Sequence, residues 1–151
     1  MIRRRSRPRQ YSSSEVSVDK SLLMIKPEAV RDGKQGEIID MLIKNRFHIV
    51  AMKQFRFDAA RARAFYAVHE GKHFFNDLIA YIISGDVIGL ALEKEGAIEL
   101  LRELVGATDP AAARPGTIRY LYGADLQRNA VHASDSQASA EKELAIVFPR
   151  T

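Results

Sequence analysis

The sequence predicts an α+β domain, and three observations lead there. Short apolar runs of strand type alternate with longer stretches whose apolar residues recur at helical spacing. Glycine, proline, serine and aspartate punctuate the boundaries between them. In order the chain reads strand, helix, strand, two helices, strand, helix, loop, strand, helix. Without its insertions that order is β-α-β-β-α-β, the ferredoxin-like arrangement.

Residues 1–20 are rich in arginine and serine and lack the apolar stretch of a secretory signal. They are expected to form a disordered basic tail, leaving residues 21–151 as the folded domain. The tail holds six Lys/Arg and two Asp/Glu while the domain holds 17 of each, so the net charge of +4 belongs to the tail. The domain has no global attraction for nucleic acid, and any such contact is expected to be non-specific and through the tail.

Ser21-Leu22-Leu23-Met24-Ile25 is a continuous apolar run closed by Lys26-Pro27, the pattern of a central strand buried on both faces. Over 36–45, Ile38 with Leu42 and Ile39 with Ile43 make one helical stripe. Residues 48–57 alternate as a second strand, and Asp58 can cap a helix over 59–69. Phe75, Leu78, Ile79, Ile82 and Ile83 define a short amphipathic helix. Ser84-Gly85-Asp86 turns into a strand over 87–92, and a helix follows with Gly106 as its stop. Residues 106–128 show no sustained period, and a loop of that length inside a domain is usually functional.

The last stretch carries the chemistry. Ala130-Val131 reads as a strand that ends in His132, and Ser134 with Gln137 fits a capping box for a helix over 138–144. Glu141 lies two helical turns after Ser134, so both can share one face. A histidine between a strand end and a helix start sits where backbone N–H groups favour phosphate. Near neutral pH much of the imidazole is unprotonated and nucleophilic, able to accept a phosphoryl group and pass it on. Neither a phosphate-binding Gly-x-x-x-x-Gly-Lys loop nor a Gly-x-Ser-x-Gly elbow occurs. The absence of cysteine excludes disulfides, and no apolar run approaches the roughly 20 residues that cross a bilayer. A cytoplasmic protein without membrane contact is expected.

Asn129-Ala130-Val131-His132-Ala133-Ser134-Asp135-Ser136 resembles the Asn-x-x-His-Gly-Ser-Asp-Ser signature of the nucleoside diphosphate kinases. Met24-Ile25-Lys26-Pro27-Glu28-Ala29-Val30, His73-Phe74-Phe75, Ser84-Gly85, Pro115-Gly116-Thr117-Ile118-Arg119 and Ser139-Ala140-Glu141-Lys142-Glu143 follow the same family's order. The resemblance implies a four-stranded antiparallel sheet with helices packed on it. It implies transfer of the terminal phosphoryl group from a nucleoside triphosphate such as ATP to a nucleoside diphosphate through phospho-His132, supported by Glu141 and Ser134. Lys26, Tyr66, Arg102, Thr108 and Arg119 match the phosphate-side positions. Asn129 and Lys26 match those at the sugar hydroxyls, and Phe74 the aromatic under the base. Mg²⁺ would ride mainly on the nucleotide phosphates, reached through water by Asp135, with no protein-only metal site, and a homo-oligomer, a dimer-based tetramer or hexamer, is implied. Three departures stand out: Ala133 in place of glycine, Tyr120-Leu121 in place of Gly-Asp, and a shorter C-terminal end. They keep open a second reading, a catalytically weak relative that regulates by binding nucleotide or nucleic acid.

Overall fold

The computed structural model describes residues 18–150. The expected tail, up to residue 17, lies outside the described residues. Four strands form one antiparallel sheet in the order β2-β3-β1-β4: β1 (Val18–Ile25), β2 (His48–Phe55), β3 (Val87–Glu95) and β4 (Val131–Ala133). This is the ferredoxin-like order anticipated from the pattern of elements. β1 begins three residues before Ser21, because Val18, Asp19 and Lys20 pair with Glu95, Lys94 and Glu93. Those three residues are therefore strand rather than tail.

Alternation along β1 divides the interior in two. Leu23 and Ile25 face one core with Ile88, Leu90 and Leu92 of β3. That core is closed by α2 (Gln35–Lys44) and α5 (Ala97–Val105) through Ile38, Leu42, Leu101 and Val105. Leu22 and Met24 face the other, closed by α3 (Ala59–Phe65), α4 (Phe75–Ile82) and α7 (Gln137–Val147). Residues 21–25 are all fully buried, which explains why the strand is apolar without alternation.

The helices follow their local signals with informative shifts. Asp58 caps α3 through a 2.7 Å bond from the Arg61 N–H. α3 ends at Phe65 and tightens into a 3₁₀ turn over Ala67–His69, so the expected single helix is two pieces. Gly106 stops α5 with φ of 90°, a conformation that glycine adopts without strain. Two short helices escaped the periodicity reading: α1 (Pro27–Arg31), which Pro27 initiates, and α6 (Ile118–Tyr122), capped by Thr117. Both are too short to show a hydrophobic period.

The N-cap of α7 lies two residues later than the capping-box reading placed it. Ser136, not Ser134, is the N-cap, accepting from the Ser139 N–H at 3.1 Å. α7 lies close over the sheet at Gly89, where an added Cβ would stand 2.6 Å from Val147 Cγ1. Gly89→Ala should therefore lower unfolding free energy by about 1–3 kcal/mol through overpacking. Chemical denaturation of the variant beside the parent measures it.

Candidate active site

A cleft of about 820 Å³ opens where the end of β1, the α3–α4 connection, the loop after α5 and the β4–α7 junction converge. Lys26 enters it directly from β1. Its ammonium donates to Asn129 Oδ1 at 2.7 Å and to the Gln127 carbonyl at 3.1 Å. The residue is only 6% exposed, and burial pulls its pKa down to about 8 against the opposing charge of Glu28.

Arg119 reaches the cleft from α6, donating to the carbonyls of Gly106 (3.1 Å) and Val131 (3.0 Å). Burial, reinforced by Arg102, lowers its pKa to about 10. Its Nε and the hydroxyl of Tyr66 are buried without hydrogen-bond partners. Burial, followed by the Glu143 charge, also raises the Tyr66 phenol far above its ordinary range, so the hydroxyl stays a neutral donor. Two lining residues thus carry unsatisfied donors, the condition that a ligand's oxygens relieve. Lys26, Lys72, Arg102 and Arg119 oppose only Asp135 and Glu143 among the charged lining residues, so the cleft suits an anion.

At the mouth, Phe74 is 37% exposed and offers a ring face between His69 and His73, with ring centroids 5.3 and 5.5 Å away. The Lys72 ammonium lies 5.8 Å from the same ring centroid and 3.1 Å from His69 Nδ1. Thr108 and Arg102 also line the cleft, and the Thr108 carbonyl receives the Asn129 amide at 3.0 Å.

His132 occupies the floor. It pairs with Met24 across β1 and β4, so its side chain projects to the face that carries α3, α4 and α7. Its Nε2 lies 2.7 Å from Glu143 Oε1, and the same oxygen accepts from the Ser134 hydroxyl at 2.8 Å. An ionised carboxylate only accepts, so Nε2 carries the proton and Nδ1 keeps its lone pair for the cleft. Phe65 and Tyr66 flank the imidazole edge-on, with centroids at 5.0 and 5.7 Å.

A family model described as nucleoside diphosphate kinase matches residues 19–151. The nucleoside diphosphate kinase of Heliobacterium modesticaldum is 48% identical over 131 residues, covering 87% of this chain and 88% of that protein. That of Sulfolobus acidocaldarius is 44% identical over 133 residues, covering 88% and 92%. This chain belongs to the nucleoside diphosphate kinase family. Two solved structures agree. An orthorhombic form of the Aquifex aeolicus nucleoside diphosphate kinase gives a TM-score of 0.86 at 41% identity, covering 87% of this chain and 96% of that one. A halophilic nucleoside diphosphate kinase from Halobacterium salinarum in complex with CDP gives 0.86 at 38%, covering 89% and 90%.

Eight residues singled out from the sequence line the one cleft: Lys26, Tyr66, Phe74, Arg102, Thr108, Arg119, Asn129 and His132. Ser134 lies behind His132, fully buried, on Glu143. Glu141 is exposed on the outer face of α7 and does not contact His132. The carboxylate expected from Glu141 is supplied by Glu143. The cap explains the error: the same two-turn count taken from Ser136 rather than Ser134 arrives at Glu143. Asp135, named above for a water-mediated contact to magnesium, lines the cleft. Lys72, Gln127 and Ser139 also line it and were not anticipated. Of these, only Lys72, a cation two residues before Phe74, left a sequence signal.

Of the departures from the family pattern, Ala133 lines the cleft beside His132 and the Tyr120-Leu121 pair does not. Tyr120 and Leu121 are half exposed and are not among the lining residues. Ala133 pairs with Leu23 in β4, and positive φ among described non-glycine residues occurs only at Arg46 and Ala130. A methyl group in place of glycine at 133 therefore carries no left-handed strain.

Two outcomes follow from this geometry. Glu143→Ala should slow phosphoryl transfer from ATP by about 10- to 100-fold, the effect of a misheld imidazole, whereas Glu141→Ala stays within about twofold; rapid quench with labelled ATP compares them. Lys26 is charged in the empty cleft below about pH 8, and an incoming polyphosphate favours that charged form. Affinity is thus fully present below pH 8 and falls as pH rises above it, by up to about tenfold per unit. Calorimetric titration from pH 7 to 9.5 reads the fall, and Lys26→Gln should flatten it.

Proposed function

We propose that the chain works as a nucleoside diphosphate kinase in two half-reactions that share one covalent intermediate, phosphorylated on Nδ1 of His132. One observation carries the reading: Glu143 engages Nε2, which leaves Nδ1 as the nucleophile on the floor of a cationic cleft. Kinase and phosphotransferase class agree with the family.

In the first half-reaction the Nδ1 lone pair attacks the terminal phosphorus of a nucleoside triphosphate such as ATP. The bond from that phosphorus to its bridging oxygen breaks, and the electron pair leaves with the diphosphate. Nε2 keeps its proton throughout, and the positive charge that the ring gains is paired with Glu143 at 2.7 Å. In the second half-reaction a terminal oxygen of an acceptor diphosphate attacks phosphorus, and the P–N electron pair returns to Nδ1. No external base is required at the nitrogen.

Lys26, Arg102, Thr108, Arg119 and the Tyr66 hydroxyl are assigned to the phosphate chain, Lys26 and Asn129 to the sugar hydroxyls, and Phe74 to the base. Stacking on a ring tolerates any base and contributes about 1–3 kcal/mol, by analogy with nucleic-acid platforms. Magnesium would come bound to the nucleotide and would supply neutralisation of phosphate charge. Asp135 is the lining carboxylate not bound to His132, and hydrogen bonds led by the Ser139 hydroxyl keep it ionised, so it is the residue that would hold the metal.

A cytoplasmic homo-oligomer is part of the same proposal. β2 is an edge strand that exposes Val50 and Met52, with Ile43 exposed on α2, and an apolar strand edge favours pairing with a second copy. Among the described residues no helix is long and apolar enough to cross a membrane.

Incubation with labelled ATP and magnesium should yield an acid-labile, alkali-stable phosphoprotein that any unlabelled nucleoside diphosphate discharges. His132→Ala should abolish the label while nucleotide binding and the melting transition persist. Transferable label on the alanine variant would overturn the assignment.

A further inference from the structure

Glu28 lies in α1 two residues beyond Lys26, is not among the residues lining the cleft, and is 9% exposed. Its Oε1 accepts the Ala130 N–H at 2.9 Å, joining segments 102 residues apart in the chain. On the other side of the same residue, the Ala130 carbonyl accepts the Lys26 N–H at 2.9 Å. Ala130 is thus gripped by both its backbone polar groups from one turn, Lys26-Pro27-Glu28.

Ala130 needs such a grip. It is fully buried, has φ of +72°, and is bridged by a 2.9 Å bond from the Val131 N–H to the Asn129 carbonyl. A positive φ with a bond across three residues describes the rarer and more strained form of the γ-turn. A residue with a Cβ persists there only where its surroundings over-determine it. Asn129, bound to the Lys26 ammonium, precedes the turn, and His132 stands two residues beyond it. Whatever holds Ala130 therefore sets the distance between the sugar-side pair and the nucleophile.

We propose that Glu28 is a positioning residue, whose buried carboxylate clamps the strained Ala130 turn and thereby places Asn129 and His132 relative to Lys26. The proposal rests on phospho-His132 as the intermediate. Glu28 itself touches no reacting atom. Its second oxygen is buried without a partner, so the carboxylate is kept there at a desolvation cost by the one bond it makes. Its negative charge also opposes the lowering of the Lys26 pKa, which gives the clamp a second, electrostatic signature.

The test uses the full chain in three variants, Glu28→Ala, Glu28→Gln and Glu28→Ala with Ala130→Gly, each read by rapid quench and by amide hydrogen exchange. Glu28→Ala should lower the rate of His132 phosphorylation by at least about tenfold, in line with a sub-ångström misplacement, and release protection of the Ala130 N–H. Adding Ala130→Gly should restore at least half of that loss on a logarithmic scale, because glycine adopts the turn unaided. Glu28→Gln keeps an acceptor for the Ala130 N–H and loses the charge. It should retain the rate at pH 6.5 while the alkaline fall in nucleotide affinity moves to lower pH. Unchanged exchange at Ala130 in Glu28→Ala, or a glycine variant that rescues nothing, overturns the proposal. If Glu28→Ala does not fold, an alkaline limb in Glu28→Gln that coincides with the parent's overturns it instead. A parent protein that forms no phosphohistidine sinks the proposed reaction, whereas the exchange result judges the clamp by itself.

Discussion

The pairing of β4 with β1 governs the geometry of the cleft. β4 is only three residues long and pairs with β1 alone, through Leu23 with Ala133, Met24 with His132 and Ile25 with Val131. Because side chains alternate, a shift of one residue would turn His132 into the core under α2 and α5 and bring Val131 or Ala133 to the cleft. The bonds at both ends of the short ladder oppose that slip: the Lys26 N–H to Ala130 and the Ser134 N–H to Leu22. β1 in turn is held by burial on both faces, with residues 21–25 fully enclosed. His132 is thus mounted on a short edge strand that is anchored to the fully buried β1.

On that frame the cleft accumulates charge that the empty protein tolerates poorly. Lys26 and Arg119 are both buried enough to have their pKa values lowered, to about 8 and about 10. Arg119 spends two donors on backbone carbonyls and keeps Nε unpaired, and Tyr66 keeps its hydroxyl unpaired. These are costs to the fold, and a polyphosphate relieves them by supplying oxygens and negative charge. The same groups that weaken the empty protein are the cations and donors that line the cleft. Glu143 is the exception, because its partners His132 and Ser134 are already in place before any ligand arrives. The imidazole is therefore oriented in advance and the phosphate pocket is not satisfied until it is filled.

The sequence by itself determined the order of the longer elements, the buried character of β1 and the delivery of His132 to the cleft. These are properties of local pattern: continuous apolar runs, helical stripes, and a histidine delivered at a strand end. Through the likeness of several motifs in register it also determined the family and, with it, seven further cleft residues. Tertiary structure alone decided which carboxylate meets His132, because the two-residue choice between Ser134 and Ser136 as helix cap rotates α7 by about half a turn. It also decided that Ala130, not Ala133, adopts the left-handed conformation. The sequence could not show this, since both are small residues in one short segment, and only the hydrogen bonds from Lys26 and to Glu28, about a hundred residues away, select which of them bends.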